Sequence, residues 1–140
     1  MLIGEYNCTI DVKGRLNFPA KLRDDLGGRF LIAKGLGENC LFVYSLTEWE
    51  HMEDKIKALP FSTATRLQRT FSSSACEVEP DKQGRVVIPA NLREYGAIEK
   101  DIVVIGASNH CEIWSADAWK AANADVDSAE LLAQLDEMGF

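Results

Sequence analysis

The residue pair best suited to chemistry is an aspartate followed four positions later by an arginine, and this pair occurs twice. Residues 11–15 read DVKGR and residues 81–85 read DKQGR. Across so short a turn the carboxylate can accept hydrogen bonds from backbone N–H groups and from the guanidinium, which would fix both side chains. Glycine supplies the positive φ that a tight turn requires. The pattern therefore predicts two ordered turns that present an arginine each, built from Asp11, Gly14, Arg15, Asp81, Gly84 and Arg85.

Other positive side chains accompany both turns. The candidate cations are Lys13, Arg15, Lys21 and Arg23 in the first copy and Lys82, Arg85 and Arg93 in the second. Because the members of each set are close in sequence, we expect each set to gather at its own turn. Such cations can bind the phosphates and base edges of DNA, whereas a run of charge is more often a solvated surface. Residue types alone leave both interpretations open, and a purely structural role for the two aspartates is compatible with either.

An enzymatic interpretation would pair the two aspartates across a twofold axis, as in aspartic proteases. Neither aspartate is followed by Thr-Gly or Ser-Gly, and the neighbouring cations favour the ionised carboxylate. The sequence has no Ser/His/Asp arrangement, phosphate-binding loop or dinucleotide-binding glycine motif. His51 and His110 are predicted to be surface residues rather than bases. We therefore expect no catalytic residues and no enzymatic activity.

The size and composition suit one domain with a substantial core. The chain has 140 residues, of which 46% are hydrophobic. It contains no run of about 18 apolar residues and no basic segment leading into an apolar one, so we expect neither a membrane span nor a signal peptide. Four scattered cysteines without a Cys-x-x-Cys motif favour ordinary thiols in the cytoplasm over a zinc site or a disulfide framework. We predict no metal and no cofactor.

The net charge of −7 is unevenly distributed along the chain. Residues 117–140 carry six acids and one base, a net charge of −5, so residues 1–116 carry the remaining −2. Residues 13–29, in contrast, contain five bases and two acids. Because local charge decides whether a surface binds phosphate, the acidic total does not exclude a nucleic-acid partner.

The repeated motif belongs to a longer duplication with a constant offset of seventy residues. Between residues 11–23 and 81–93, seven of thirteen positions are identical. The same offset continues through four later pairs, which are Ile32 with Ile102, Asn39 with Asn109, Ser45 with Ser115 and Trp49 with Trp119. One such copy is too small to bury a stable core alone. We therefore expect the copies to combine about a pseudo-twofold axis into one barrel, which would also cover their strand edges.

Local patterns predict a mainly β protein with short helices, an α+β fold. Strands are predicted over residues 2–10, 16–18, 30–34, 40–44, 75–79, 86–88, 102–105 and 111–114. Helices are predicted over residues 20–26, about 46–59, 62–72, 90–95, 115–124 and 127–138. Trp49, Met52 and Ile56 recur at helical spacing, so they should face the core. The serines at 72–74 suggest a joint between the two copies.

Taken together, these motifs resemble a known family. Two Asp-x-x-Gly-Arg turns, each followed by an apolar run, Pro-Ala-x-Leu-Arg and a later strand-to-helix tryptophan, are similar to the MraZ family of AbrB/SpoVT-like swapped-hairpin transcription factors. The resemblance covers about residues 1–120, and it is specific because both copies occur in one short chain. Only the tail, residues 121–140, lies outside it.

The resemblance implies a double-split β-barrel built from two tandem AbrB-like half-motifs. Its parts would be a first repeat at 1–60, a helical linker at 61–74, a second repeat at 75–124 and an acidic tail at 125–140. Such a protein would form a ring of subunits and bind direct repeats in double-stranded DNA. It would regulate the division and cell-wall gene cluster, including its own gene, and would be cytoplasmic and nucleoid-associated.

The family motif implies DNA contact for Arg15 and Arg85 and a motif role for Asp11 and Asp81. The other candidate cations join this set only because they are close in sequence. The first copy is the more basic of the two, so we expect it to contribute more of the DNA contact and the second copy more of the scaffold.

Two other functions stay open at this stage. A small duplicated barrel can also be a non-enzymatic protein-interaction module, and a single AbrB-like copy would fit an antitoxin of that type. For an interaction module, the helix over 62–72 and the acidic tail would supply the docking surface.

Overall fold

Eight strands and six helices make up the computed structural model, which describes residues 1–140. The strands are β1 (Glu5–Thr9), β2 (Arg15–Asn17), β3 (Phe30–Lys34), β4 (Leu41–Ser45), β5 (Cys76–Val78), β6 (Arg85–Val87), β7 (Asp101–Gly106) and β8 (Cys111–Ser115). The helices are α1 (Ala20–Leu26), α2 (Leu46–Lys57), α3 (Phe61–Ser74), α4 (Ala90–Gly96), α5 (Ala116–Ala124) and α6 (Ser128–Glu137). No helix is both long enough and apolar enough to cross a membrane. The predicted α+β composition is confirmed.

The two copies of the duplication are interleaved. Strand β1 of the first copy pairs with β7 of the second, and β5 of the second copy pairs with β3 of the first. All pairings are antiparallel, and they give a six-stranded sheet in the order β1-β7-β8-β4-β3-β5. Strands β2 and β6 form a separate two-stranded ribbon. Because an edge strand of each copy pairs with a strand of the other, the two copies form one folded unit.

The strand registers define a pseudo-twofold axis. Leu16 lies opposite Val86 in the ribbon, and Phe42 lies opposite Glu112 in the sheet. Each pair joins positions that are equivalent in the duplication, so the axis passes between the members of both pairs. The predicted pseudo-twofold relation between the copies is confirmed.

One hydrophobic core joins both copies and contains nineteen buried residues. Equivalent positions from the two copies lie in it, each at most 2% exposed, and they are Leu16, Phe18, Leu22, Val86, Ile88 and Leu92. Burying a large apolar side chain contributes roughly 1.5–3 kcal/mol. Since each copy contributes half of these buried side chains, neither copy alone could form this hydrophobic core.

A second, smaller core lies beneath α2 and α3. Trp49, Ile56 and Phe71 are 8%, 7% and 6% exposed, and Met52 packs against them. The predicted core-facing orientation of the α2 residues is therefore confirmed. The rings of Trp49 and Phe71 meet edge to face with centroids 6.4 Å apart, a contact that joins α2 to α3.

One local prediction is wrong. Strand β1 begins at Glu5 rather than at residue 2, because Gly4 has a φ of 103° and leaves the extended conformation. The serines at 72–74, where the sequence suggests a joint between the copies, are the last residues of α3. The buried Ser74 hydroxyl donates to the Phe71 carbonyl and accepts from the Lys34 N–H, both at 3.1 Å. This serine therefore anchors the end of α3 to β3.

The two histidines differ in exposure. His51 is a surface residue, as predicted, with 60% of its side chain exposed. The surface position predicted for His110 is wrong, since only 17% of its side chain is exposed. Its ring stacks on Tyr44 with centroids 5.5 Å apart, and Nε2 lies 2.8 Å from a Glu112 carboxylate oxygen. The hydrogen bond from His110 helps to hold the pKa of Glu112 below its usual range.

Two of the four cysteines are core residues. Cys40 and Cys111 are fully buried. Burial raises the pKa of each thiol to about 12. Both therefore stay protonated at neutral pH and serve as small apolar side chains.

Candidate nucleic-acid interface

Both Asp-x-x-Gly-Arg turns have the predicted hydrogen bonds. One carboxylate oxygen of Asp11 accepts from the N–H groups of Lys13 and Arg15, each at 2.9 Å, and the other accepts from Arg15 Nε at 2.7 Å. Asp81 makes the same three bonds in the second turn, each at 2.9 Å. The two turn glycines have φ values of 80° and 79°, as the motif predicts. Each turn is thus closed by its own aspartate.

The aspartates orient the two motif arginines and leave part of each guanidinium free. Arg15 and Arg85 donate to their carboxylates through Nε, and their terminal nitrogens make no hydrogen bond within the chain. Their side chains are 37% and 38% exposed. A guanidinium held in this way presents planar donors that match a phosphate or the O6/N7 edge of guanine.

The β2–β6 ribbon brings both arginines onto one face. Arg15 lies opposite Val87, and Arg85 lies opposite Asn17. Directly opposite residues of an antiparallel pair share a face, as do residues two apart on one strand. The two arginines are therefore diagonal neighbours, with backbones about 7–8 Å apart.

Arg23 and Arg93 contact the turn of the opposite copy. Arg23 Nε donates to the Phe18 carbonyl at 2.9 Å, and a Cβ added at Gly84 would lie 2.6 Å from the Arg23 Cζ. Arg93 packs in the same way against Gly14. The expectation that each set of cations gathers at its own turn is wrong for these two arginines. Because β2 and β6 are antiparallel, the helix that follows each strand starts beside the other copy's turn.

Three lysines complete the predicted set, namely Lys13, Lys21 and Lys82. All three are exposed, and none forms an ion pair within the chain. Lys13 and Lys82 lie on the turns, whereas Lys21 is in the first turn of α1. Their charges are therefore available to an external anion.

Sequence reasoning missed two exposed residues on this surface, Asn17 and Val87. Each lies two positions after a motif arginine, and the residue between is buried. Val87 is 55% exposed, which is unusual for an apolar strand residue beside a core. The period-two alternation of a strand was the available signal, because it places both residues on the face of the arginines.

Acidic pH should reduce the stability that Asp11 and Asp81 contribute through the two turns. Hydrogen bonds from Arg15 hold the pKa of Asp11 below its ordinary value of 3.8, and those from Arg85 do the same for Asp81. A lowered native pKa contributes stability that is complete above the ordinary pKa and is lost as the pH falls through the native value. We expect the urea midpoint of the wild type to fall more steeply below about pH 4 than that of the Asp11→Asn/Asp81→Asn variant. Parallel pH profiles for the two proteins would contradict this.

Comparison with known proteins places the chain in a family. The family model of the MraZ protein, described as antitoxin-like, matches it twice, over residues 1–72 and 71–138. A protein of Thermoanaerobacter pseudethanolicus is 51% identical over 144 residues, which cover 100% of both chains. One from Clostridium beijerinckii is 49% identical over 100% of both chains, and one from Heliobacterium modesticaldum is 50% identical over 97% of this chain and 99% of its own. All three are named transcriptional regulator MraZ. The resemblance in the motifs is thereby confirmed, and this chain belongs to the MraZ family.

Proposed function

We propose that this protein regulates transcription by binding double-stranded DNA through the β2–β6 ribbon and its two turns. The observation that carries the proposal is that both turns hold an arginine through Nε and leave its terminal nitrogens exposed on one face. The three relatives described above are named transcriptional regulators, which agrees with this role. A regulator of this kind needs no catalytic residue, and we assign none.

The proposed DNA-binding surface has seven cations, which are Lys13, Arg15, Lys21, Arg23, Lys82, Arg85 and Arg93. The two turn aspartates belong to the same surface, but each is already paired with its own arginine. Their repulsion of phosphate is therefore reduced, and the attraction comes mostly from the cations that form no ion pair within the chain, which are the three lysines, Arg23 and Arg93. The first copy contributes more of this contact because it has more of the lysines.

The subunits assemble into a ring that binds direct repeats. A cyclic head-to-tail array presents identical surfaces in one orientation, whereas a twofold dimer matches a palindrome. Several weak contacts to one duplex then act at high effective concentration. Helix α6 supports assembly, because three of its apolar side chains, Leu131, Leu132 and Leu135, lack a partner within the chain and are between 44% and 60% exposed. Met138, which follows the helix directly, is 70% exposed.

The remaining features of the proposal rest on membership of the family. The sheet and the ribbon together form a double-split β-barrel of two AbrB-like repeats at 1–60 and 75–124, with a helical linker at 61–74 and an acidic tail at 125–140. The tail points away from DNA. The protein is cytoplasmic and nucleoid-associated, and its targets are the division and cell-wall genes, including its own.

A salt titration tests the proposal. The logarithm of the affinity for a duplex from upstream of its own gene should fall linearly with the logarithm of salt concentration, by about 0.9 for each phosphate neutralised. Lys13→Ala should reduce the magnitude of this slope by about 1 for each subunit bound to the duplex. Lys55→Ala removes an exposed charge from α2 and should leave the slope unchanged. Absence of DNA binding would favour a protein-interaction or antitoxin role instead.

A further inference from the structure

We propose that Asn17 and Val87 read base edges and give this protein its sequence preference. The inference rests on the proposed function, since it states what the exposed face of the β2–β6 ribbon does when DNA is bound. Neither residue is charged, so neither belongs to the set of cations that binds phosphate.

Four side chains share the exposed face of the ribbon. Arg15 is paired with Val87 and Asn17 with Arg85, while the apolar pair between them is buried in the core. Opposite residues lie about 5 Å apart, and residues two apart on a strand lie about 7 Å apart. The major groove is about 12 Å wide and admits a two-stranded ribbon. The four side chains therefore form a patch that spans about two base-pair steps.

Neither Asn17 nor Val87 has an evident role in stabilising the fold. Asn17 is exposed, and its side-chain amide makes no hydrogen bond within the chain. Val87 is 55% exposed, although burial of an apolar side chain would be favourable. Both side chains are thus free to contact a partner that approaches the arginines beside them.

The chemistry of these side chains matches base edges. An asparagine amide can donate to N7 and accept from N6 of adenine, and the methyl groups of valine can pack on the thymine methyl. The arginines beside them match guanine. Phosphate contacts from the turn lysines position the protein but contain no sequence information. The side chains on the exposed face of the ribbon must therefore discriminate between bases.

Asn17 and Val87 also break the pseudo-twofold symmetry of the surface. Arg15 and Arg85 are equivalent under the axis, and alone they would read a site in the same way from either direction. Asn17 and Val87 occupy equivalent positions but differ in chemistry. The preferred element is therefore non-palindromic, and each subunit binds it in one orientation. That property fits an array of repeats that all point the same way.

Selection of bound duplexes from a randomised library tests this inference with the full-length protein. We expect the wild type to select a non-palindromic element with an adenine preference at one position. Asn17→Val should reduce that preference by about 5- to 150-fold. Asn17→Gln keeps the amide and should retain it. The exchange variant Asn17→Val/Val87→Asn should recover the adenine preference that Asn17→Val loses, because the twofold relation makes the exchanged ribbon equivalent to the wild-type ribbon turned around.

The outcomes separate this inference from the proposed function. If Asn17→Val selects the wild-type element with its adenine preference unchanged, or the exchange variant does not recover that preference, the inference is overturned while DNA binding stands. If the wild type itself binds no duplex, the proposed function fails as well. Thermal unfolding shows whether each variant is folded. Should Asn17→Val lower the melting temperature, Asn17→Ser removes the amide without adding an apolar side chain and provides the same comparison.

Discussion

Arg15→Ala should weaken binding to a duplex from upstream of the protein's own gene by about 5- to 150-fold for each element bound. The reason is that Asp11 fixes Arg15 through Nε, so in the proposed complex its terminal nitrogens would bind the DNA with little conformational entropy left to lose. Arg85→Ala should have an effect of similar size, because Asp81 holds that arginine in the same way. If several subunits bind several repeats of one duplex, the losses of affinity at the individual repeats combine. The duplex used for this measurement should therefore contain a single repeat. Fluorescence anisotropy gives the dissociation constants.

The exposed Arg66 offers a matched control for the loss of positive charge. It lies on α3 and forms no ion pair, so Arg66→Ala should leave the affinity nearly unchanged. Arg15→Lys keeps the charge but loses the planar fork, so it should recover only part of the binding. Equal affinities for Arg15→Ala and Arg66→Ala would show that the turn arginine does not contact DNA.

Gly14→Ala should lower the free energy of unfolding by about 2–5 kcal/mol. One part of the loss comes from the backbone, since Gly14 has a φ of 80°. The other part comes from crowding, because a Cβ at this position would lie 2.9 Å from both the Ile88 carbonyl oxygen and Arg93 Nε. The carbonyl belongs to the residue that directly follows β6, whose N–H donates to the Gly14 carbonyl at 2.8 Å, so this backbone cannot move aside without disturbing its hydrogen bond to the turn. Urea unfolding monitored by tryptophan fluorescence measures the change.

Gly37 separates the two contributions. It has nearly the same φ, 81°, but a Cβ there would meet nothing within 4 Å. Gly37→Ala should therefore cost only the backbone part, about 1–2 kcal/mol. Gly84→Ala should fall between the two, because the nearest atoms belong to the movable Arg23 guanidinium. If Gly14→Ala were no more destabilising than Gly37→Ala, close packing of the turn against the opposite copy would be excluded as a source of stability.

The features predictable from sequence are those set by local chemistry. An aspartate, a glycine and an arginine at fixed spacing determine the hydrogen bonds of the turn, so the Asp11 geometry followed from the motif alone. The spacing of Trp49 and Ile56 likewise placed both in a core. A constant offset between the copies indicated a pseudo-twofold axis, because equivalent sequences fold into equivalent elements.

The features that escaped prediction depend on which strands become neighbours. Arg23 reaches the opposite turn because the two ribbon strands run antiparallel, and strand order is not encoded in any short window. His110 is mostly covered because the β7–β8 turn lies over Tyr44, a residue distant in sequence. Asn17 escaped prediction for another reason, since positive charge is the sequence signal of a DNA-binding surface and a neutral side chain on the same face does not share it.

A competition experiment measures sequence-specific DNA binding by this protein most directly. A labelled duplex from upstream of the protein's own gene is bound at physiological salt and displaced with the same duplex unlabelled or with a scrambled duplex of equal length and composition. We predict that the scrambled duplex competes roughly a thousandfold or more less well, as is typical of specific regulators. Equal displacement by the two duplexes, or no binding of the labelled one, would contradict the assignment of the β2–β6 ribbon as a sequence-reading surface.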